Sequence, residues 1–505
     1  MKILFDTNIF IYREDDHVIS ENLQELLRIL NATKAEIIIH PSSIEDLQRD
    51  FNERRKDIMS SKLKAYPLLE SPPNPDDDTH YLELVNIGIR NNDKIDNKIL
   101  YSIYKDAVDF LITEDRGIHK KASKLGMNER ILLIDEAIQI FKSYIHKEGV
   151  IAPPALKNEV AYNLNYEDPI FDSLKEEYHP EFGDWFKKIS REGRKCWVYY
   201  RNDGSIGAIL IYKFEDEAID DARPSFPKAK RLKIALMKVT HIGYKLGELF
   251  IKMAVDLAVK NDIYEIYLTH FTAPDDQLVE LITDYGFDKI AVKPKGEKLE
   301  DVYVKKLAID FKAARSLGPL EISRRFYPSF YDGDGVKKFI VPIRPEFHGM
   351  LFTDFPSRQP KLMEYSGEFI VEGNTIKKAY LSHSRIKKIE PGDLLLFYRS
   401  EDLHAITSIG VVEIVYSGIK DSDQILRLAG KRTVFSKEEV DIMVKDPVSI
   451  ILFRHHFHTK RPIRRDELAN KGILSGWPQS ISEISHANYI ELKRMSGINE
   501  RFTVH

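Results

Sequence analysis

Short apolar runs alternate with amphipathic stretches over the first 145 residues. "KILFD" reads as a strand, and "SENLQELLRILNA" as a helix with Ser20 at its start. "AEIIIHP" is a second strand and "SSIEDLQRDFNERRKD" a second helix. After the proline- and acid-rich loop "PLLESPPNPDDDTH" come a helix "DNKILYSIYKDA", a strand "VDFLITED", a helix "RGIHKKASKLG" and a closing "RILLIDEAIQIF". Alternation of this kind predicts a parallel sheet with helices on its faces. "EGVIAPPALKNE" marks a boundary near residue 152.

The pattern then changes. "RKCWVYYRNDGSIGAILIYKF" predicts a hairpin turning at Asn202-Asp203-Gly204. "RLKIALMKVT" is a strand, "YKLGELFIKMAVDLAVKN" an amphipathic helix, "IYEIYLTHF" a strand, "DQLVELITDYG" a helix and "VYVKKL" a last strand. From about residue 320 short strands dominate: "KKFIVPI", "KKAYLS", "DLLLFYR", "AITSIGVVEIVYS" and "VSIILFR". They predict a small barrel. The expected organisation is therefore a multidomain α/β chain: a parallel α/β unit at 1–150, an α+β unit at 155–312 and a small β-barrel at 320–505.

Composition agrees with that count. A chain of 505 residues exceeds a single core at roughly 100–200 residues per domain. Its 43% hydrophobic and 30% charged residues are those of globular protein. Cys196 is the single cysteine, so no intramolecular disulfide forms, which fits a reducing compartment. No run approaches the roughly 18 apolar residues of a membrane span, and Asp6 interrupts the first apolar run, so no signal-peptide pattern is expected. A cytoplasmic protein is the expectation. The net charge of −4 hides an asymmetry: Glu321 to His505 carries 28 Lys and Arg against 24 Asp and Glu, and half of the 16 histidines. That part is the better candidate for meeting an anionic polymer.

Acids of the first unit fall where such a sheet gathers its functional edge. Asp6 ends the first strand, Glu45 lies in the first turn of the second helix, Asp96 starts "DNKIL", and Asp115 follows "FLIT". Carboxyl ends of parallel strands and the starts of the following helices share one edge. Each acid alone is also what a helix terminus attracts; four together call for a hard divalent ion. The segment 1–145 resembles the PIN domain, a metal-dependent nuclease fold. The residues carrying this are "FDTNIF" with Asp6 and Asn8, "PSSIEDL" with Glu45, and "DNKILYSIYKDAVDFLITEDRGIHKKA" with Asp96, Thr113 and Asp115. The resemblance implies that Asp6, Glu45, Asp96 and Asp115 hold Mg²⁺ or Mn²⁺ and hydrolyse RNA (tRNA or mRNA), as in toxin ribonucleases, with an antitoxin or inhibitor protein as a partner. Asp93 is a spare acid beside Asp96; Asp109 reads as orienting or capping.

The run "VTHIGYKLGELFIKMAVDLA", with "LITDYGF" and "EDVYVKKL", resembles the GNAT acetyltransferase fold. That resemblance implies acetyl-CoA, its pyrophosphate cradled by Gly243, Tyr244, Lys245, Leu246, Gly247, Glu248 and Leu249 at a helix start. Two positions depart from the family pattern: Ile242 opens the loop, and Ile282 stands where many members place an acid tyrosine, with Tyr285 displaced on the helix. "IKKIEPGDLLLFYRS" followed by "AITSIGVVEIV", with "LSGWPQSISEIS", resembles the ASCH, EVE and PUA barrels, which implies binding of RNA or a modified base. "RHHFHTKRPIRR" carries Arg454, Lys460, Arg461, Arg464 and Arg465 with no acid among them and is the candidate phosphate-binding loop. His455, His456 and His458 lie within it without metal-site spacing, and Trp477 is a candidate base-stacking residue. The leading expectation is a metal-dependent ribonuclease with a GNAT-like middle and an RNA-binding barrel. The alternatives are an acetyl-CoA-dependent N-acetyltransferase acting on tRNA or protein, and a non-catalytic RNA-binding regulator.

Overall fold

The computed structural model describes residues 1–6, 8–9, 21–33, 35–47, 66–85, 91–145, 155–201, 203–240, 246–274, 276–296, 298–309, 311–355, 368–370, 375–384 and 386–505. Two compact units result: Met1–Val150 with Gly418–Val448, and Ile151–Ser417 with Ser449–His505. Residues 418–448, expected inside the C-terminal barrel, thus belong with the N-terminal segment, and the middle and C-terminal thirds build one unit together.

In the first unit, β1 (Lys2–Phe5), β2 (Glu36–Ile39), β3 (Phe110–Ile112) and β4 (Ile131–Leu132) make a parallel sheet in the order β2-β1-β3-β4. The helix Asn91–Tyr104 buries Ile95, Ile99, Leu100 and Ile103 against Leu4 and Leu111 of the sheet, a spacing of three and four that puts them on one helical face. It begins at Asn91, so Asp96 sits in its second turn and not at its start as the sequence suggested. The helix Ser422–Ala429 comes from the returning segment. Arg427 pairs with Asp109 at 3.1 Å, Arg432 with Glu129 at 2.6 Å, and the Met1 amine with Asp423 at 3.1 Å. Asp109 also accepts from the Lys2 backbone amide at 2.8 Å, which accounts for it structurally.

In the second unit, β5 (Ala155–Val160), β6 (Lys195–Tyr200), β7 (Ile206–Ile219), β8 (Phe226–Val239), β9 (Glu265–His270), β10 (Phe287–Lys295) and β11 (Lys298–Lys306) lie in one sheet. Later strands are β12 (Phe330–Tyr331), β13 (Lys338–Ile343), β14 (Glu368–Ile370), β15 (Lys377–Ser382), β16 (Leu394–Arg399), β17 (Ala405–Ile419), β18 (Val448–Arg464), β19 (Ser482–Ile484) and β20 (Thr503–Val504). The first sheet runs β10-β11-β9-β8-β7-β6-β5-β14, its edge taken by β14 from the C-terminal third. A second sheet runs β15-β18-β17-β16-β13-β19, and β12 pairs with β20. The expected barrel is not closed among the described residues, because β15 and β19 end the six-strand order without meeting. The whole is a multidomain α/β protein with parallel and mixed sheets. No helix of the described residues is long and apolar enough to cross a membrane.

Helix Leu246–Lys260 covers the first sheet with Leu249, Phe250, Met253, Ala254 and Ala258. The "YGF" turn that follows the helix Gln277–Asp284 is fixed by Gly286, at φ +81°. A Cβ there would lie 1.9 Å from the Arg325 carbonyl oxygen. Lys305, fully buried, donates to that same carbonyl at 3.3 Å and to the Tyr285 carbonyl at 2.6 Å. Gly286→Ala therefore loses both a backbone conformation worth about 1–3 kcal/mol and this close approach. Chemical denaturation should show a stability loss at or above the upper end of that range.

Candidate functional sites

Asp6 follows β1, and its backbone amide donates to the Ile112 carbonyl of β3 at 3.0 Å. The Thr113 hydroxyl donates to Asp6 Oδ2 at 2.6 Å and accepts from Asn8 Nδ2 at 3.2 Å and from the Asp115 amide at 3.0 Å. Asp115 caps the helix Arg116–Lys124, its Oδ1 accepting from the Ile118 amide at 3.1 Å. Gly117 leaves room for that carboxylate, since a Cβ would lie 3.0 Å from Oδ1. Asp96 approaches from its own helix and is pushed up to about 7, by burial first and then by Asp115 and Asp6. The structure thus brings Asp6, Asp96 and Asp115 to the expected sheet edge, although not into a group whose oxygens all lie within 4.8 Å. Asp93 is turned to Lys121 at 3.5 Å. Lys121, which the sequence reading passed over, is the cation that partly offsets the acids, and it lowers Asp96 against the other influences. The Glu45 side chain lies outside the described residues, as does Ser20.

The second site is a gap in the eight-stranded sheet. β8 and β9 are its one parallel pair, and they stay in register only at Leu232–Ile266, Lys233–Tyr267 and Ile234–Leu268. Beyond Ile234, β8 runs on to Val239 paired, among the described residues, with β7 alone. An unpaired strand edge inside a sheet offers amides and carbonyls to an extended, amide-bearing ligand. Helix Leu246–Lys260 starts just after it, with backbone N–H groups suited to an anion. Of the expected cradle, Gly243, Tyr244 and Lys245, with Ile242, lie outside the described residues. Leu246 and Leu249 are buried core residues, and Glu248 is buried, accepting from the Lys377 amide at 2.8 Å. Gly247 serves packing: a Cβ would meet Leu281 at 2.5 Å. Ile282 is fully buried and Tyr285 nearly so. At the end of β9, His270 Nε2 lies 2.6 Å from Asp276 Oδ2, and Asp276 caps the next helix. This pair beside the gap had no motif to announce it.

The candidate phosphate-binding loop needs correction. Residues 454–464 are the end of the long strand β18, not a loop. Arg454 is 2% exposed and its Nε donates to Glu413 at 2.7 Å, out of reach of a polyanion. Arg461 is held by both oxygens of Glu467 at 2.7 and 2.6 Å, and Arg465 pairs with Asp466 at 3.4 Å while lying 4.4 Å from the Trp477 ring centre. The acids that answer these arginines begin one residue past the stretch that looked acid-free. Lys460 and Arg464 are exposed. His456 is core, bonded to Ser323 at 2.8 Å and to the Pro328 carbonyl at 2.8 Å.

No family model matches the chain, and no curated protein sequence matches it. Solved structures similar to parts of it include ASCH and GNAT proteins. An ASCH protein from Zymomonas mobilis is 16% identical over 32% of this chain and 95% of its own, with a TM-score of 0.25. A protein assigned to the GNAT acetyltransferase family, from Desulfovibrio desulfuricans, is 12% identical over 30% of this chain and 99% of its own, with a TM-score of 0.22. A chain of the NatC complex, solved with a Gag peptide and CoA, is 12% identical over 30% of this chain and 98% of its own, with a TM-score of 0.21.

The raised Asp96 makes a sign-definite prediction. Unfolded, an aspartate releases its proton near pH 4; folded, Asp96 keeps it to about pH 7. Between those values the folded state binds more protons, so stability falls as pH rises through that window and levels off above it. In chelator, Asp96→Asn should raise the melting temperature over wild type at pH 8 and leave it nearly unchanged at pH 4.

Proposed function

We propose that the second unit binds an acyl-CoA and transfers its acyl group to an amine. The observation carrying this reading is the parting of β8 from β9 after Ile234–Leu268, directly before a 15-residue helix. The pantetheine arm of CoA is extended and amide-bearing, and suits the free β8 edge; its pyrophosphate suits the helix start. In the reaction a neutral amine attacks the thioester carbonyl, a C–N bond forms, the C–S bond breaks, and the amine proton must be taken up while the thiolate gains one. His270, oriented by Asp276, is the candidate base. Acyl acceptors on tRNA or protein both carry a suitable amine. CoA should raise the melting temperature with concentration, by about 2.7 kcal/mol of stability at a hundredfold excess over Kd. His270→Gln should lower kcat by roughly 10²–10⁴-fold with little change in KM for acyl-CoA. No CoA-dependent shift at millimolar ligand sinks this reading.

A second reading is favoured by the carboxylates of the first unit. Asp6, Asp96 and Asp115 form an oxygen donor set whose mutual repulsion suits Mg²⁺ or Mn²⁺. Such an ion supplies a Lewis acid and an activated water for phosphodiester hydrolysis of RNA. The chain's own part is orientation: Thr113 and Asn8 fix Asp6, the helix start fixes Asp115, and Lys121 partly offsets the charge. Asp6→Asn and Asp96→Asn should each abolish divalent-dependent cleavage of total RNA with the fold kept, judged by circular dichroism. Cleavage that persists in both variants removes this reading and leaves the acyl-CoA reading untouched.

A further inference from the structure

His455, Asp354 and His458 form a cluster that neither proposed activity uses. Each offers one ligand atom, and these atoms all lie within 4.8 Å of one another. In a regular strand, residues three apart face opposite sides. Yet the His455 and His458 rings lie 4.4 Å apart, and both pack on Phe352, at 5.1 and 5.9 Å. The alternation of β18 is therefore broken between them.

The decisive observation is His455. It is 2% exposed, and among the described residues neither of its ring nitrogens has a hydrogen-bond partner. A buried polar group in that condition is costly unless something else occupies its lone pair. The neighbours are arranged to match. His458 Nδ1 is taken by Ser408 Oγ at 2.9 Å, leaving Nε2 toward the cluster. His458 Nε2 lies 3.1 Å from Asp354 Oδ1, but the two are not aligned as a hydrogen bond. The other Asp354 oxygen is held by Lys252 Nζ at 2.5 Å. Two ligands of one tetrahedral ion with bonds of about 2.0 Å stand about 3.3 Å apart, near the observed separation.

We propose that Asp354, His455 and His458 bind a zinc ion. Two imidazoles and one carboxylate are a zinc donor set, and three protein ligands leave one position for water or a further ligand. Ser408 and Lys252 are the outer partners that orient the ligands. The side chains of Asp354 and His458 are 16% and 17% exposed, which gives the ion a way in. A plain aspartate–histidine pair would explain His458 but would leave His455 with nothing.

The test uses the full chain, free of affinity tag, stripped with chelator and titrated with zinc chloride. Bound zinc is measured by elemental analysis after gel filtration, and cobalt is used in parallel for its visible tetrahedral bands. Wild type and Asp6→Asn should both take up one tight zinc per chain, because the acidic edge of the first unit is not the site. Asp354→Asn and His458→Gln should each weaken binding by more than ten-fold and lose the cobalt bands. Ser408→Ala removes no ligand and little packing, and should weaken binding roughly 10–100-fold. It serves as the readable variant if the buried substitutions misfold. Absence of a tight zinc in wild type overturns the proposal, as does equal affinity and spectrum in His458→Gln or in well-folded Ser408→Ala.

Discussion

A charge withdrawn from water has to be answered by a partner, and that requirement orders the ionisable groups of this chain. Removing one partner of a buried pair costs about 3–5 kcal/mol, so such pairs act as fixed fasteners. Arg454 with Glu413 is one, at 2.7 Å. Asp332, with no exposed surface, is another: it takes Lys493 at 2.8 Å, Tyr489 Oη at 2.9 Å and His505 Nδ1 at 2.7 Å. Where the answer is incomplete, the chain holds groups that structure alone does not need. At the Asp6–Asp96–Asp115 edge Lys121 offsets Asp96 only in part, and among the described residues neither ring nitrogen of His455 has a hydrogen-bond partner. Compensation is what separates a fastener from a candidate site here.

The eight-stranded sheet expresses the same logic in backbone groups. Among the described residues its inner strands are not paired along their whole length: β7 runs past β6 after Ile211, and β8 meets β9 only from Leu232 to Ile234. The opening is possible because the two meet in parallel and turn apart, while β7 and β11 hold their outer edges along the full length. Free amides in the middle of a sheet are as conspicuous as an unpaired carboxylate. Helix Leu246–Lys260 packs beside the opening, where a Cβ on Gly247 would lie 3.7 Å from Met237 Cε, and buries most of its residues.

The sequence carried much of this, and the losses have physical causes. Apolar periodicity located most strands because a strand's burial is written in its own residues. Asp6 and Asp115 were legible because parallel strands put their ends on one edge, so linear order converts to proximity; Asp96 reaches them from the second turn of its helix, one turn later than its place in "DNKIL" suggests. Three things were not legible. The return of residues 418–448 to the first unit depends on Arg427 and Arg432 meeting Asp109 and Glu129, acids three hundred residues away in the chain. The basic run 454–465 looked free of acids because its partners Glu413, Asp466 and Glu467 lie just beyond it or on another strand. The approach of His455 to His458 is hidden in the sequence because residues three apart in a strand ordinarily face opposite sides, whereas here their rings lie 4.4 Å apart.

Helix Leu246–Lys260 links features that otherwise seem separate. Its first turn stands at the sheet gap. Glu248 accepts the Lys377 amide, and one turn further Lys252 holds Asp354. The buried Lys252 of this helix therefore holds Asp354, while Gly247 in its first turn lies beside Met237, on the stretch of β8 beyond its pairing with β9. A ligand that shifts this helix at its start also shifts Lys252 against Asp354, since a packed helix moves as a body and not residue by residue. Any difference in affinity so produced must run both ways, from the gap to the cluster and from the cluster to the gap.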